Sequence, residues 1–231
     1  MINLATLNDI KSRIEGACDR SGRNDSLEIQ IVAITKTFSA EAIESAYDAD
    51  LKSIGENRVQ EAAEKFPHLS KLPGMKKRLV GHLQRNKARK AVELFDAIDS
   101  IDSIKLARRL NSILAEKECT KEGLLQVNTA ADPSKHGFKI DEMETLLEII
   151  ELENLRVKGL MTIGDLTVDE SKARKTFQSL RKLKGKLNES LSRKNQLSDL
   201  SMGMTGDFEI AVEEGATMVR LGTALFGSRK N

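Results

Sequence analysis

The sequence has no tryptophan, one tyrosine and only 3% aromatic residues. Any core built from it must be aliphatic, drawn from Leu, Ile, Val, Ala and Met. Cysteine is scarce as well: Cys18 and Cys119 stand in unrelated contexts. They offer neither a disulfide framework nor a zinc-ligand spacing, so no metal is expected, and two free thiols suit a reducing cytoplasm. No uninterrupted apolar run approaches the ~20 residues of a membrane span. The opening stretch MINLATLNDIKSRIEGACDRSG lacks a basic region followed by an apolar core, so a secretory signal is not expected. An excess of one charge is also missing. With 37 basic and 35 acidic side chains, the net charge is +2. Such a balance gives no long-range field to attract nucleic acid. The basic runs KKR (76–78) and RNKARK (85–90) read as solvated faces.

What the sequence does contain is an alternation of two periods. LATLNDIKSRIEGACDRSGR places Leu4, Leu7, Ile10, Ile14 and Ala17 at helical spacing and closes near Gly22. EIQIVAIT (28–35) reads as a strand, and SAEAIESAYDAD (39–50) as a helix with Ser39 at its N-cap. Further strands are predicted in LKSIGEN, KRLVGHL, DAIDSID, EGLLQVN, LRVKGLMTI, LSDLSMGM and TMVRLGTALFG. Helices are predicted between them, including KIDEMETLLEIIEL (139–152) with Ile140, Met143, Leu146, Leu147 and Ile150 on one face. Eight strands alternating with helices imply a parallel sheet closed on itself. The expected fold is α/β: a single (β/α)₈ TIM barrel with an extra N-terminal helix. No linker or shift in composition divides residues 1–231, so one domain is expected.

Barrels of this kind carry their sites at the carboxyl ends of the strands. The residues there are Lys36 after strand one, Glu56 and Asn57 after strand two, and His82 and Gln84 after strand three. Asp99, Ser100, Asn128, Met161 and Thr162 follow, then Ser201 to Met204, and last Arg220, Gly222 and Thr223. The loops after strands seven and eight, SMGMTGD and LGTALFG, are glycine-rich and carry the hydroxyls of Ser201 and Thr223, as a phosphate site would. A neighbouring cation and partial burial would lower the pKa of Lys36 and free its lone pair for a carbonyl.

Singly, each residue has an ordinary reading. A lysine at a strand end is surface charge, and a glycine-rich turn is a turn. Arg220 in an apolar strand is half of a buried ion pair, and His82 is a hydrogen-bonded structural histidine. Their joint placement at one mouth suggests instead a Schiff-base lysine beside a phosphate cradle. Pyridoxal 5'-phosphate carries both matching groups.

The segments VAITKTFS, IGENRVQE, LVGHLQRNK, LLQVNTAADPSKHGF, VKGLMTIG and LSMGMTGDFEIAVEEGATMVRLGTALFG resemble, in order, signature segments of the pyridoxal-phosphate homeostasis proteins. This family is also called YggS or proline-synthetase co-transcribed homologue, and the resemblance runs from about residue 29 to about residue 229. It implies a barrel similar to the N-terminal domain of alanine racemase, the fold type III of these cofactor proteins. It implies that Lys36 holds pyridoxal phosphate as an aldimine and that Arg220 faces the pyridine nitrogen, leaving it unprotonated. Ser201, Gly222 and Thr223 match phosphate-binding positions, Asn57 and His82 match residues lining the pocket, and Met204 packs near the cofactor. Thr37-Phe38-Ser39 stands where many members have a proline, and Gly206 replaces a frequent acidic residue. Neither removes a cofactor contact.

Alanine racemase uses a second base, a tyrosine from an additional C-terminal domain. The only tyrosine here, Tyr47, falls in the helix after strand one and is expected to face outward. The resemblance therefore implies a mostly monomeric, cytoplasmic protein of cofactor homeostasis without established turnover. Its partners would be the cofactor and pyridoxal-phosphate-dependent client enzymes. Two alternatives remain open on sequence: a weak amino-acid racemase, and a cofactor-free, aldolase-type lysine enzyme.

Overall fold

Asn3 opens the first helix. Its side-chain oxygen accepts from the N–H groups of Ala5 and Thr6, satisfying two of the donors that a helix start leaves unpaired. Helix α1 (Leu4–Ser21) then buries Leu7, Ile10, Ile14, Ala17 and Cys18 and ends at Gly22, as its spacing predicts. Burial of each large aliphatic side chain is worth roughly 1.5–3 kcal/mol. The molecule is seen in a computed structural model that describes residues 1–69, 72–130, 132, 134–164 and 169–227. Positions 131 and 133 of the segment LLQVNTAADPSKHGF lie outside the described residues.

Eight parallel strands follow, each paired with the next. They are β1 (Gln30–Ile34), β2 (Ser53–Glu56), β3 (Lys76–Leu79), β4 (Ala97–Ile101), β5 (Lys121–Gln126), β6 (Leu155–Met161), β7 (Asp199–Ser201) and β8 (Met218–Leu221). Pairing of β1 with β8, with Val32 beside Arg220, closes the barrel. Around it lie α2 (Ala40–Asp48), α3 (Val59–Lys65), α4 (Ala88–Leu94), α5 (Ile104–Glu116), α6 (Met143–Ile150), α7 (Glu170–Ser190), α8 (Phe208–Glu213) and the short α9 (Thr223–Phe226). The extra helix α1 packs against α8, where Arg13 and Arg20 pair with Glu209 and Glu213.

Two aliphatic cores result. The larger fills the layer between strands and helices, and a small one, Val32, Leu124, Met161 and Met218 with Ile34, fills the barrel interior. Strand β1 therefore alternates, with Ile31 and Ala33 facing the helices and Val32 and Ile34 facing inward. Gly55 is what lets β2 lie against this interior, because a Cβ there would stand 2.6 Å from Ile34 Cδ1.

Two expectations need correction. The helix predicted over 139–152 begins only at Met143, and Ile140 is exposed. The chain after β5 first returns to pair Phe138 with Val127, and the Glu142 carboxylate then accepts the N–H of Lys139 to close a turn. The run KKR is not wholly a solvated face. Arg78 points into the barrel, is 1% exposed, and makes a two-pronged ion pair with Asp99 at 2.6 and 2.9 Å.

Candidate functional site

Lys36 sits two residues beyond the inward-facing Ile34. The ladder continues through Thr35, whose N–H donates to Gly55 O, and Lys36 then opens a turn at the mouth end of β1, closed by the Phe38 N–H on the Thr35 carbonyl. Its residue is half-buried. The next residue, Thr37, has φ 65°, which turns the chain sharply toward α2.

Arg220 lies inward on β8, beside Val32, and is 5% exposed. Its guanidinium crosses β7, donating to Ser201 O and Oγ at 2.8 Å each and to Thr162 O at 2.7 Å. Among the described residues no carboxylate closes an ion pair with it. Burial pulls its pKa down to about 10, against the opposing charges of Asp99 and Asp207. The buried ion pair belongs to Arg78 instead. There, burial pulls the pKa down, but the charge and bonds of Asp99 outweigh it and hold the pKa above its ordinary value.

Ser201 is fully buried, and because its Oγ accepts from Arg220, its own hydroxyl hydrogen is left to donate elsewhere. The loop after β7 then presses on α8. Asp207 accepts from the N–H of Met204 at 2.6 Å, and Met204 is half-buried. Gly222 follows β8, and Thr223, exposed, starts α9. The two loops touch where the Ala224 N–H donates to Thr205 Oγ1 at 3.3 Å. Lys36, Ser201, Met204, Arg220, Gly222 and Thr223 are thus gathered along the ends of three consecutive strands of the closed barrel, β7, β8 and β1.

Asn57 and His82 gather elsewhere on the rim. Both line a cavity of about 180 Å³ with Arg58, Val59 and Lys87, which includes neither Lys36 nor Arg220. The His82 Nδ1 donates to Asp102 Oδ2 at 2.7 Å, and its ring stacks on His136 at 4.0 Å and 14°. His82, Asp102 and His136 bring one possible metal ligand each within 4.8 Å of the others. Nearly parallel rings cannot both aim in-plane lone pairs at one ion, so the cluster reads as a hydrogen-bonded imidazole.

The remaining mouth candidates have structural partners. The Ser100 Oγ donates to Gly81 O, and the Asn128 amide donates to Asp132 O. Glu56 faces outward from β2 toward α3, where it meets Lys65, so it does not line the mouth. Tyr47 points away from the mouth and donates its hydroxyl to Pro73 O. A cavity of about 770 Å³ lies at the other end of the barrel beneath α1, bordered by Gln30 and Ser53, and contains none of the candidate residues. Lys65, Arg78 and His136 are not singled out by sequence. Arg78 lies between Lys77 and Leu79, Lys65 between Glu64 and Phe66, and His136 between Lys135 and Gly137, so no run of apolar neighbours marks any of them.

Both cysteines are free, and among the described residues no helix is long and apolar enough to cross a membrane. The family model described as alanine racemase, N-terminal domain, matches residues 7–230. The pyridoxal phosphate homeostasis protein of Synechocystis sp. is 40% identical over 202 residues, covering 87% of this chain and 92% of that protein. The structure of PipY of Synechococcus elongatus with pyridoxal phosphate bound superposes with a TM-score of 0.80 at 37% identity, covering 94% of this chain and all of that one. An alanine racemase of Clostridium difficile shares the fold, with a TM-score of 0.75 at 17% identity over 58% of its own length. With a family model spanning nearly every residue and relatives aligned along almost their full length, the chain belongs to the pyridoxal phosphate homeostasis proteins, built on the barrel of the alanine racemase N-terminal domain.

Proposed function

We infer that this chain binds pyridoxal phosphate reversibly and takes part in the intracellular supply of that cofactor. The observation that carries the reading is one of register. Lys36 follows the inward face of β1, and the strand hydrogen-bonded to it, β8, carries Arg220 on the same face. The donor set suits the group: an amine at the rim, a guanidinium with no carboxylate upon it, and two loops rich in hydroxyl and N–H donors. When bound, pyridoxal phosphate supplies an aldehyde that condenses with a primary amine, and a phosphate that attracts donors.

Lys36 offers the amine. Thr223, Gly222 and the Ser201 hydroxyl are the groups to hold the phosphate, and Met204 is the apolar neighbour. Arg220 presents only donors, and at neutral pH it neither takes up nor releases a proton, so it orients without serving as acid or base. Asn57 and His82 serve as the far rim of the site. The protein acts as a monomer in the cytoplasm, and the client enzymes are those that need the cofactor. Tyr47, bonded to Pro73 O away from the mouth, is not placed as a second base, which favours a carrier over a racemase.

The test is the absorbance spectrum of purified protein with added pyridoxal phosphate, followed by borohydride reduction and peptide mapping. A long-wavelength band that is lost in Lys36→Ala, with label on the Lys36 peptide of the wild type, is the expected result. An unchanged spectrum in Lys36→Ala overturns the assignment.

A further inference from the structure

One buried cation ties α3 to the turn that carries Lys36. Lys65, the last residue of α3, is 9% exposed. Its Nζ donates to Thr35 O at 2.9 Å, Glu56 Oε1 at 2.9 Å and Glu61 Oε1 at 2.6 Å. An ammonium has three N–H bonds, so its donor capacity is used up. Glu56 Oε1 also accepts from Thr35 Oγ1 at 2.7 Å, and Glu61 also accepts the backbone N–H of Thr37. Both chain neighbours of Lys36 are therefore held from α3, Thr35 by its carbonyl and Thr37 by its amide, while the Thr35 hydroxyl is held from β2 by Glu56.

Two observations set this network apart from ordinary filling of the layer between β2 and α3. Thr37 has φ 65°, a region that a β-branched residue occupies only where its surroundings impose it. Glu61, itself bonded to Lys65, holds the Thr37 amide, alongside the Phe38 N–H that closes the turn on the Thr35 carbonyl. In addition, Glu56 is fully buried with Oε2 lacking a partner among the described residues, and burial pushes its carboxyl pKa up. Apolar side chains of the same volume would fill this layer without that desolvation cost. The ionic arrangement carries that desolvation cost and bonds the backbone on either side of Lys36.

We propose that Lys65 is a positioning residue for Lys36, its ammonium fixing the Thr35 carbonyl directly and the Thr37 amide through Glu61. The amine of Lys36 thereby leaves the end of β1 in one direction, aimed into the mouth. This rests on the reading of Lys36 as the amine that takes the cofactor.

The test separates attachment at Lys36 from binding of the rest of the molecule. Attachment of pyridoxal phosphate is followed by absorbance and by borohydride-fixed label on the Lys36 peptide, across a range of pH. Binding without attachment is followed by calorimetry with pyridoxine 5'-phosphate, which has the same ring and phosphate but an alcohol in place of the aldehyde. Glu61→Ala and Lys65→Met should slow attachment by roughly tenfold or more, the scale at which misplacing a reacting group is felt. They should shift its pH profile and leave pyridoxine phosphate affinity unchanged. Glu61→Gln, whose amide oxygen can still accept from Thr37, should restore most of what Glu61→Ala loses. If Lys65→Met, which strands the Glu56 carboxylate, does not fold, the charge-free pair Glu56→Gln/Lys65→Met and the partly exposed Glu61→Ala decide the matter. Equal attachment rates in Glu61→Ala and wild type overturn the positioning role and leave the cofactor site standing. Parallel losses of attachment and analogue affinity overturn it in favour of a structural role. A wild-type protein that takes no label at Lys36 overturns the cofactor site itself, and the positioning role with it.

Discussion

Asp207 shows how a single residue balances burial against bonding at this site. Burial pushes its carboxyl pKa up, while the Met204 N–H at 2.6 Å and the charge of Arg220 pull it back only in part. A folded-state pKa above the ordinary 3.8 means that the native state holds the proton to higher pH than the unfolded chain does. The stability linked to that proton is fully present below 3.8 and is lost as pH rises through the raised value. At neutral pH the ionised side chain therefore weighs against folding. Asn at this position keeps an oxygen for the Met204 N–H and carries no charge. Asp207→Asn should melt at or above wild type at pH 7, and the gap should close as pH falls toward 3.8, followed by thermal unfolding across the acid range. A gap that widens on acidification would contradict the sign of the shift.

The element that shapes the cradle is the loop between β7 and α8. Gly203 has φ 92°, and a Cβ there would stand 2.6 Å from Ala211 Cβ and 3.0 Å from Phe208 Cα. Gly203→Ala would have to lift the loop off the first turn of α8, at a cost of about 1–3 kcal/mol from overpacking and unfavourable φ together. It should lower the urea midpoint, and a larger loss of pyridoxine phosphate affinity than of stability would place the damage in the cradle. The glycine is legible in SMGMTGD, as are the eight strands and the placement of Arg220 within the last of them. The faces of β2, β3 and β4 were not visible. A strand buried on both sides shows no polar and apolar alternation, so sequence could not say that Glu56 looks outward while Asp99 looks inward. The start of α6 was misread for a related reason: Ile140 falls at helical spacing, but the pairing of Phe138 with Val127 claims the backbone first.

At the scale of the whole molecule, the barrel interior is unusual in being only partly apolar. The aliphatic cluster of Val32, Ile34, Leu124, Met161 and Met218 shares it with two guanidiniums, Arg78 and Arg220, and the carboxylate of Asp99. Asp99 bonds Arg78 directly and stands within electrostatic reach of Arg220, whose charge Asp207 also offsets. Removing one partner of a buried pair strands the other, at about 3–5 kcal/mol, whereas replacing both by apolar groups of similar size is often neutral. Asp99→Asn should therefore lower the urea midpoint steeply at unchanged slope, and Arg78→Met/Asp99→Leu should recover most of the loss. Because β1 and β8 close the ring, no strand can leave without its neighbours, and the loss should be shared by the whole barrel. Far-ultraviolet circular dichroism and the fluorescence of Tyr47, the sole tyrosine, placed on α2, should report coincident transitions in wild type and variants alike. Separation of the two curves in Asp99→Asn would mean that the charged interior ties together only the β3–β4 side, and that closure does not make the barrel unfold as one unit.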